Sequence, residues 1–202
     1  MSIYEKVVEL LDFSQSRVNM VQGSTAGNLS MTNAAGLAKA MLQDLSDVDI
    51  LQFALTLEHL EARMYKDMLA TNILTGKEKS YFETFGSQEA THVDALVKGL
   101  SAVGATPVAA QANYNFPAFT NRGDILNFAK LAEDTGVGAY QGAAALIDNK
   151  DYVAVAGSIV QVEARHAAIV NILMGKKPVP DAFTASLTVP QVLERINPVL
   201  GS

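Results

Sequence analysis

The stretch VEARHAAIV, residues 162–170, sets a glutamate and a histidine three positions apart, Glu163 and His166, inside an apolar run. QEATHVDAL, residues 88–96, repeats the arrangement as Glu89 and His92. Residues three apart on an α-helix lie about 60° apart round the axis, so each pair shares one face. The chain has three histidines, and chance placement would give well under one such pair. Two pairs in apolar surroundings therefore read as a device.

Working outward, the pairs belong to a longer repeat. DILQFALTLE (49–58) and DILNFAKLAE (124–133) match at six positions, offset by 75 residues, and the same offset relates Tyr65 to Tyr140. An offset of 74 carries Glu89 and His92 onto Glu163 and His166. The chain is thus written as two helical hairpins, each with Glu-x6-Tyr on its first helix and Glu-x-x-His on its second. The midpoint between Glu58 and Glu89 falls beside the turn signal at Thr75-Gly76, and that between Glu133 and Glu163 falls on Asp148. Each pair of glutamates should face across its hairpin.

Punctuation sets the elements. Ser2 with Glu5 opens an amphipathic helix through about Val18, a polar loop covers 21–33, and NAAGLAKAML (33–42) reads as a short helix. Ser46 and Asp49 start a long helix stopped near Gly76, and Lys77 to Val103 forms the second. Residues 105–123, with two prolines, read as a long connection. Helices follow from Asp124 to about Ile147 and from Asp151 to Met174, then a proline-punctuated tail with a helical piece at Gln191–Ile196. The pattern implies an all-α fold: a four-helix bundle with one long crossover, an N-terminal helix and an irregular C-terminal tail. Its parts are an extension over 1–45, the bundle over 46–175 and a tail packed on it over 176–202.

Four carboxylates and two imidazoles directed inward, Glu58, Glu89, His92, Glu133, Glu163 and His166, cannot stay as bare buried charges. Two divalent cations would balance the four negative charges, and this ligand set is the one found in ferritin-like di-iron and di-manganese proteins. Oxygen-rich ligation suits Fe or Mn better than a structural zinc site. Glu61 competes with Glu58 as the ligand, since both could face inward, and Glu58 is preferred because it alone fits the repeat. His59 lies about 100° round the helix from Glu58, which makes it peripheral. Tyr65 and Tyr140 share the glutamate faces, either hydrogen-bonding the carboxylates or filling the core. Small residues gather at Gly136, Gly138, Ala139, Gly142 and Ala143. They are read as close packing against Ala154, Ala156 and Gly157 of the next helix, or as room for a small molecule beside the metals.

Composition narrows the classes. The 202 residues carry a net charge of −6 with scattered basic residues, so there is no footprint for nucleic acid. No cysteine means no disulfide, thiolate zinc or iron–sulfur site. No continuous apolar run reaches about 18 residues, and the first residues lack a secretory pattern. The expectation is a cytoplasmic protein without membrane or nucleic-acid partners, with homo-oligomers open.

LTLEHLEARMY, QEATHVDAL, LAEDTGVGAY and VEARHAAI resemble the ferritin-like domain family that includes desiccation-related proteins, and the tail motif PDAFTASLTVPQVLERI is similar. The resemblance runs from about residue 46 to the end. It implies metal ligands at the six Glu and His positions and, more distantly, kinship with manganese catalases, rubrerythrins and bacterioferritins. It implies redox chemistry on peroxide or dioxygen in stress protection, catalase- or peroxidase-like before ferroxidase. The alternative is a non-enzymatic structural or desiccation protein whose metals hold the bundle.

Overall fold

The computed structural model describes residues 45–200. The helix expected from Ser2, the loop at 21–33 and the short helix at 33–42 lie outside the described residues, as does nearly all of the 1–45 extension. Among the described residues five helices form: α1 (Asp47–Ala70), α2 (Gly76–Ala102), α3 (Arg122–Ala144), α4 (Lys150–Leu173) and α5 (Val189–Ile196). The only extended pairing among them is an isolated bridge between Tyr114 and Leu200.

The starts are chemically explicit. Ser46 and Asp49 form a reciprocal capping box on α1, and Asn121 with Asp124 does the same on α3. The end of α1 departs from expectation. The helix stops at Ala70, and Gly76 opens α2 instead of ending α1. The Thr71 hydroxyl donates back to the Met68 carbonyl at 2.7 Å, and Asn72 adopts φ +55°, a left-handed conformation that asparagine tolerates. The chain then turns so that Leu74 is buried.

Two antiparallel hairpins, α1–α2 and α3–α4, pack side by side. Asp47 at the start of α1 accepts from the amides of Asp148 and Asn149, both at 2.9 Å, so α1 begins where α3 ends. Arg122 at the start of α3 holds Glu78 at the start of α2 and the Leu173 carbonyl at the end of α4. Hence α2 and α3 run parallel, and the crossover between them must travel the length of the bundle. It does so along α1. Gln52 bonds Thr106 and Val108, His59 Nε2 lies 3.2 Å from the Val108 carbonyl, and Arg63 reaches Ala112. His59 therefore serves the crossover from the outer side of α1.

Apolar layers close both ends of the bundle. Met64, Tyr65, Met68, Phe82, Phe85, Ile125 and Val170 fill one end, while Leu51, Leu55, Leu96 and Leu100 fill the α1–α2 side of the other. By length and composition α4 is apolar enough to cross a membrane. Its centre, however, carries the buried Glu163 and His166. A third layer forms outside α1 and α3, where Leu187, Val192, Leu193 and Ile196 of the tail cover Phe53, Leu57, Leu60 and Ala139.

That layer corrects the reading of the small-residue stripe on α3. A methyl group at Gly138 would stand 2.5 Å from Leu187 Cγ, and one at Gly142 would overlap the Leu187 carbonyl oxygen. The stripe at these positions makes room for the tail, and the Leu187 amide donates to the Gly138 carbonyl at 2.9 Å. Alanine in place of a helical glycine normally stabilises by about 1 kcal/mol. Gly142→Ala should instead destabilise by about 2 kcal/mol, because the obstacle is backbone and the tail must lift. Gly157→Ala, where a methyl meets nothing within 4 Å, should show the ordinary gain. Thermal melts of the two variants give opposite signs if the tail seats as described.

Candidate metal centre

At mid-bundle, between the apolar ends, six side chains from four helices converge. Glu58 comes from α1, Glu89 and His92 from α2, Glu133 from α3, and Glu163 and His166 from α4. All six are buried, with Glu58, Glu89, Glu133 and Glu163 wholly so. His92 Nδ1 lies 2.9 Å from Glu89, 3.0 Å from Glu163 and 3.2 Å from Glu58. His166 Nδ1 lies 2.9 Å from Glu89, 3.5 Å from Glu133 and 3.9 Å from Glu163. The repeat register that faces the glutamates across each hairpin also brings the hairpins to one level.

The donor set fits a cation. One proton on His92 Nδ1 cannot serve three carboxylates at once. Although His166 Nδ1 and Glu89 Oε1 are 2.9 Å apart, they are not aligned as a hydrogen bond, and both are buried without a hydrogen-bond partner. The same holds for Glu133 Oε2 and both oxygens of Glu163. Buried polar atoms are seldom left so, and here they point at one another. The ligand atoms fall into two groups, each within 4.8 Å: Glu58, Glu89, His92 and Glu163, and Glu89, Glu133, Glu163 and His166. Glu89 and Glu163 belong to both. The cluster could hold a metal.

Electrostatics agree with the crowding. Burial pushes the Glu58 carboxyl up to about 8, and it pushes Glu133 and Glu163 upward too. Burial would also raise Glu89, but the imidazoles of His166 and His92 beside it outweigh burial and hold that carboxyl at about 2. Burial would lower His92, yet the carboxylates of Glu163, Glu58 and Glu89 crowded against it lift it to about 12.

Both tyrosines hydrogen-bond carboxylates, and they do so crosswise. Tyr65 on α1 donates to Glu133 on α3, and Tyr140 on α3 donates to Glu58 on α1. Each is also core: Tyr65 meets Phe82 and Phe85 edge-on at 5.3 and 5.7 Å. Burial first, then the neighbouring carboxylates, raise both phenols well above the usual range, so the hydroxyls stay donors.

Two more residues belong at the site, one weighed in the sequence only as a rival to Glu58 and one that escaped the sequence reading. Glu61 is buried as well, with Oε2 unpartnered, and burial pushes it well above the ordinary carboxylate range. It does not replace Glu58; both face inward. The repeat places Gly136 opposite it in register, where a methyl would meet Glu61 Oε1 at 3.1 Å. That glycine leaves room for the fifth carboxylate. A cavity of about 20 Å³ adjoins it, lined by Glu61, Thr135, Gly136 and Arg195 among others, enough for one water. The second residue is Gln88, whose Oε1 lies 2.7 Å from His166 Nε2. Comparing QEATH with VEARH would have exposed it as one of two positions where the copies differ.

A family model described as a ferritin-like domain matches residues 46–176. Among solved structures, a conserved hypothetical protein from Mycobacterium tuberculosis is similar at 21% identity and a TM-score of 0.59. The match covers 72% of this chain and 99% of that one, and shows the shared fold. No curated protein matches the sequence.

Proposed function

Because the chain belongs to the ferritin-like domain family, we propose that its buried cluster is a dinuclear iron or manganese centre acting on peroxide or dioxygen. The observation that carries this reading is the pair of overlapping ligand groups sharing Glu89 and Glu163. Each group offers one imidazole, one carboxylate of its own (Glu58 or Glu133) and two shared carboxylates. Oxygen donors with a single nitrogen per position favour Fe or Mn. When bound, such a pair supplies redox equivalents and Lewis acidity toward an oxygen ligand.

The chain's own residues do the rest. Tyr65 and Tyr140 hold Glu133 and Glu58 in orientation through their hydroxyls. The wall of Tyr65, Phe82 and Phe85 keeps bulk water from one end. Disproportionation of peroxide to water and dioxygen needs no outside reductant.

An oxygen electrode tests the reading. Chain loaded with Mn(II) or Fe(II) should release one dioxygen per two peroxides consumed, at least about tenfold faster per ion than the free metal. Full loading without that acceleration would sink the redox reading. It would favour metals that hold the bundle, a role the unpartnered buried oxygens also support.

A further inference from the structure

The two histidines sit in ligand groups related by the repeat, so their surroundings can be compared position by position. The His166 ring is clamped on two sides. Gln88 Oε1 meets its Nε2 at 2.7 Å, and the Phe85 ring lies 4.2 Å away, centroid to centroid, tilted by 33°. The offset of 74 residues puts Val162 where Gln88 stands and Ile159 where Phe85 stands. Valine offers no acceptor. Among the described residues the hydrogen-bonding and ionic contacts of the His92 ring all run through Nδ1. The His92 side chain is 11% exposed, against 2% for His166.

Both imidazoles present Nδ1 to the carboxylates. A ring that gives its Nδ1 lone pair to a cation must carry its proton on Nε2. Gln88 accepts that proton, fixing both the tautomer and the tilt of His166. His92 must pay the ordering cost when a cation arrives.

We propose that Gln88 is a positioning residue that makes the two metal positions inequivalent. The position of Glu133 and His166 fills first, and that of Glu58 and His92 fills second. The inference rests on the dinuclear reading above, and it concerns the order of loading. Gln88 itself reaches in from the exposed side of α2, so changing it should leave the fold intact.

The experiment is a Co(II) titration of chelator-stripped protein, read by visible absorption and calorimetry. The parent should bind in two steps at least about tenfold apart. Gln88→Leu should still bind both ions, with the first step weakened about tenfold so that the steps merge. Gln88→Glu, which keeps an acceptor oxygen, should restore the separation. Equal steps in the parent, or an undiminished gap in Gln88→Leu, would overturn the proposal. A parent that binds no cobalt would defeat the dinuclear reading instead. Nitrogen-detected imidazole spectra then still decide the role of Gln88. His166 should show the Nε2–H tautomer in the parent and a mixture in Gln88→Leu, and an Nδ1–H tautomer in the parent would refute it.

Discussion

Loaded with Fe(II) or Mn(II) and desalted, a Glu163→Ala chain should retain close to no metal, where the parent retains close to two ions, one for each ligand group. The size of the effect follows from the shared position. Glu163 belongs to both groups, and both of its oxygens are buried without hydrogen-bond partners. Its loss takes a carboxylate from each cation at once and leaves three negative charges to balance two dications. Glu58→Ala should behave differently, because Glu58 belongs to one group only; about one ion should remain. Glu83→Ala, on the exposed side of α2, should change nothing. Elemental mass spectrometry on the four proteins decides the matter. A Glu163→Ala chain that keeps a full complement would show that the shared carboxylate is not a ligand.

The chelated protein should lose stability as pH rises, against the usual trend for carboxylate-rich proteins. The sign follows from the folded-state shifts. Glu58 is raised to about 8 from its ordinary 4.5, so between those values the unfolded chain releases a proton that the folded chain retains. Folding is then penalised progressively across that window. Glu61 and Glu133 are raised as well and act in the same direction. His92, lifted to about 12 from 6.5, contributes stability that is complete below 6.5 and declines above it. Glu89, held at about 2, opposes them only below pH 4.5, where its contribution fades as the pH falls. From pH 5 to pH 8.5 the chelated chain should lose on the order of 3 kcal/mol, or roughly 10 °C in melting temperature. Metal loading should reverse the slope, since cations displace the same protons and bind better as pH rises. Melting curves with chelator and with Mn(II) across that range should diverge. Parallel curves would mean that cations do not take the place of those protons.

Much of this centre was legible from the sequence because helical spacing is rigid. Once Glu89/His92 and Glu163/His166 are placed on helices, their common face follows, and the hairpin midpoints bring Glu58 and Glu133 to the same level. What escaped depends on contacts between elements. Glu61 reads from the sequence only as a rival to Glu58, and that both fit inside depends on the missing side chain of Gly136 across the interface. Gln88 looks like any polar residue on an exposed helix face until α4 is packed beside it. Gly138 and Gly142 were assigned to the wrong neighbour, because nothing local says that a tail some fifty residues on returns to α3. The end of α1 was misplaced for another reason: Asn72 supplies the left-handed turn that the nearby glycine seemed to offer.

The crosswise tyrosines have a consequence for the halves of the molecule. Either hairpin by itself carries one of these two tyrosine hydroxyls and one of the two accepting glutamates, yet the two do not meet, because each finds its partner on the opposite hairpin. Half of this gene would therefore encode a peptide whose polar groups are satisfied only by pairing with a second copy. Joined in one chain, the copies are spared that search for each other, and each is then free to diverge. Glu61 against Gly136, and Gln88 against Val162, are among the places where they have done so.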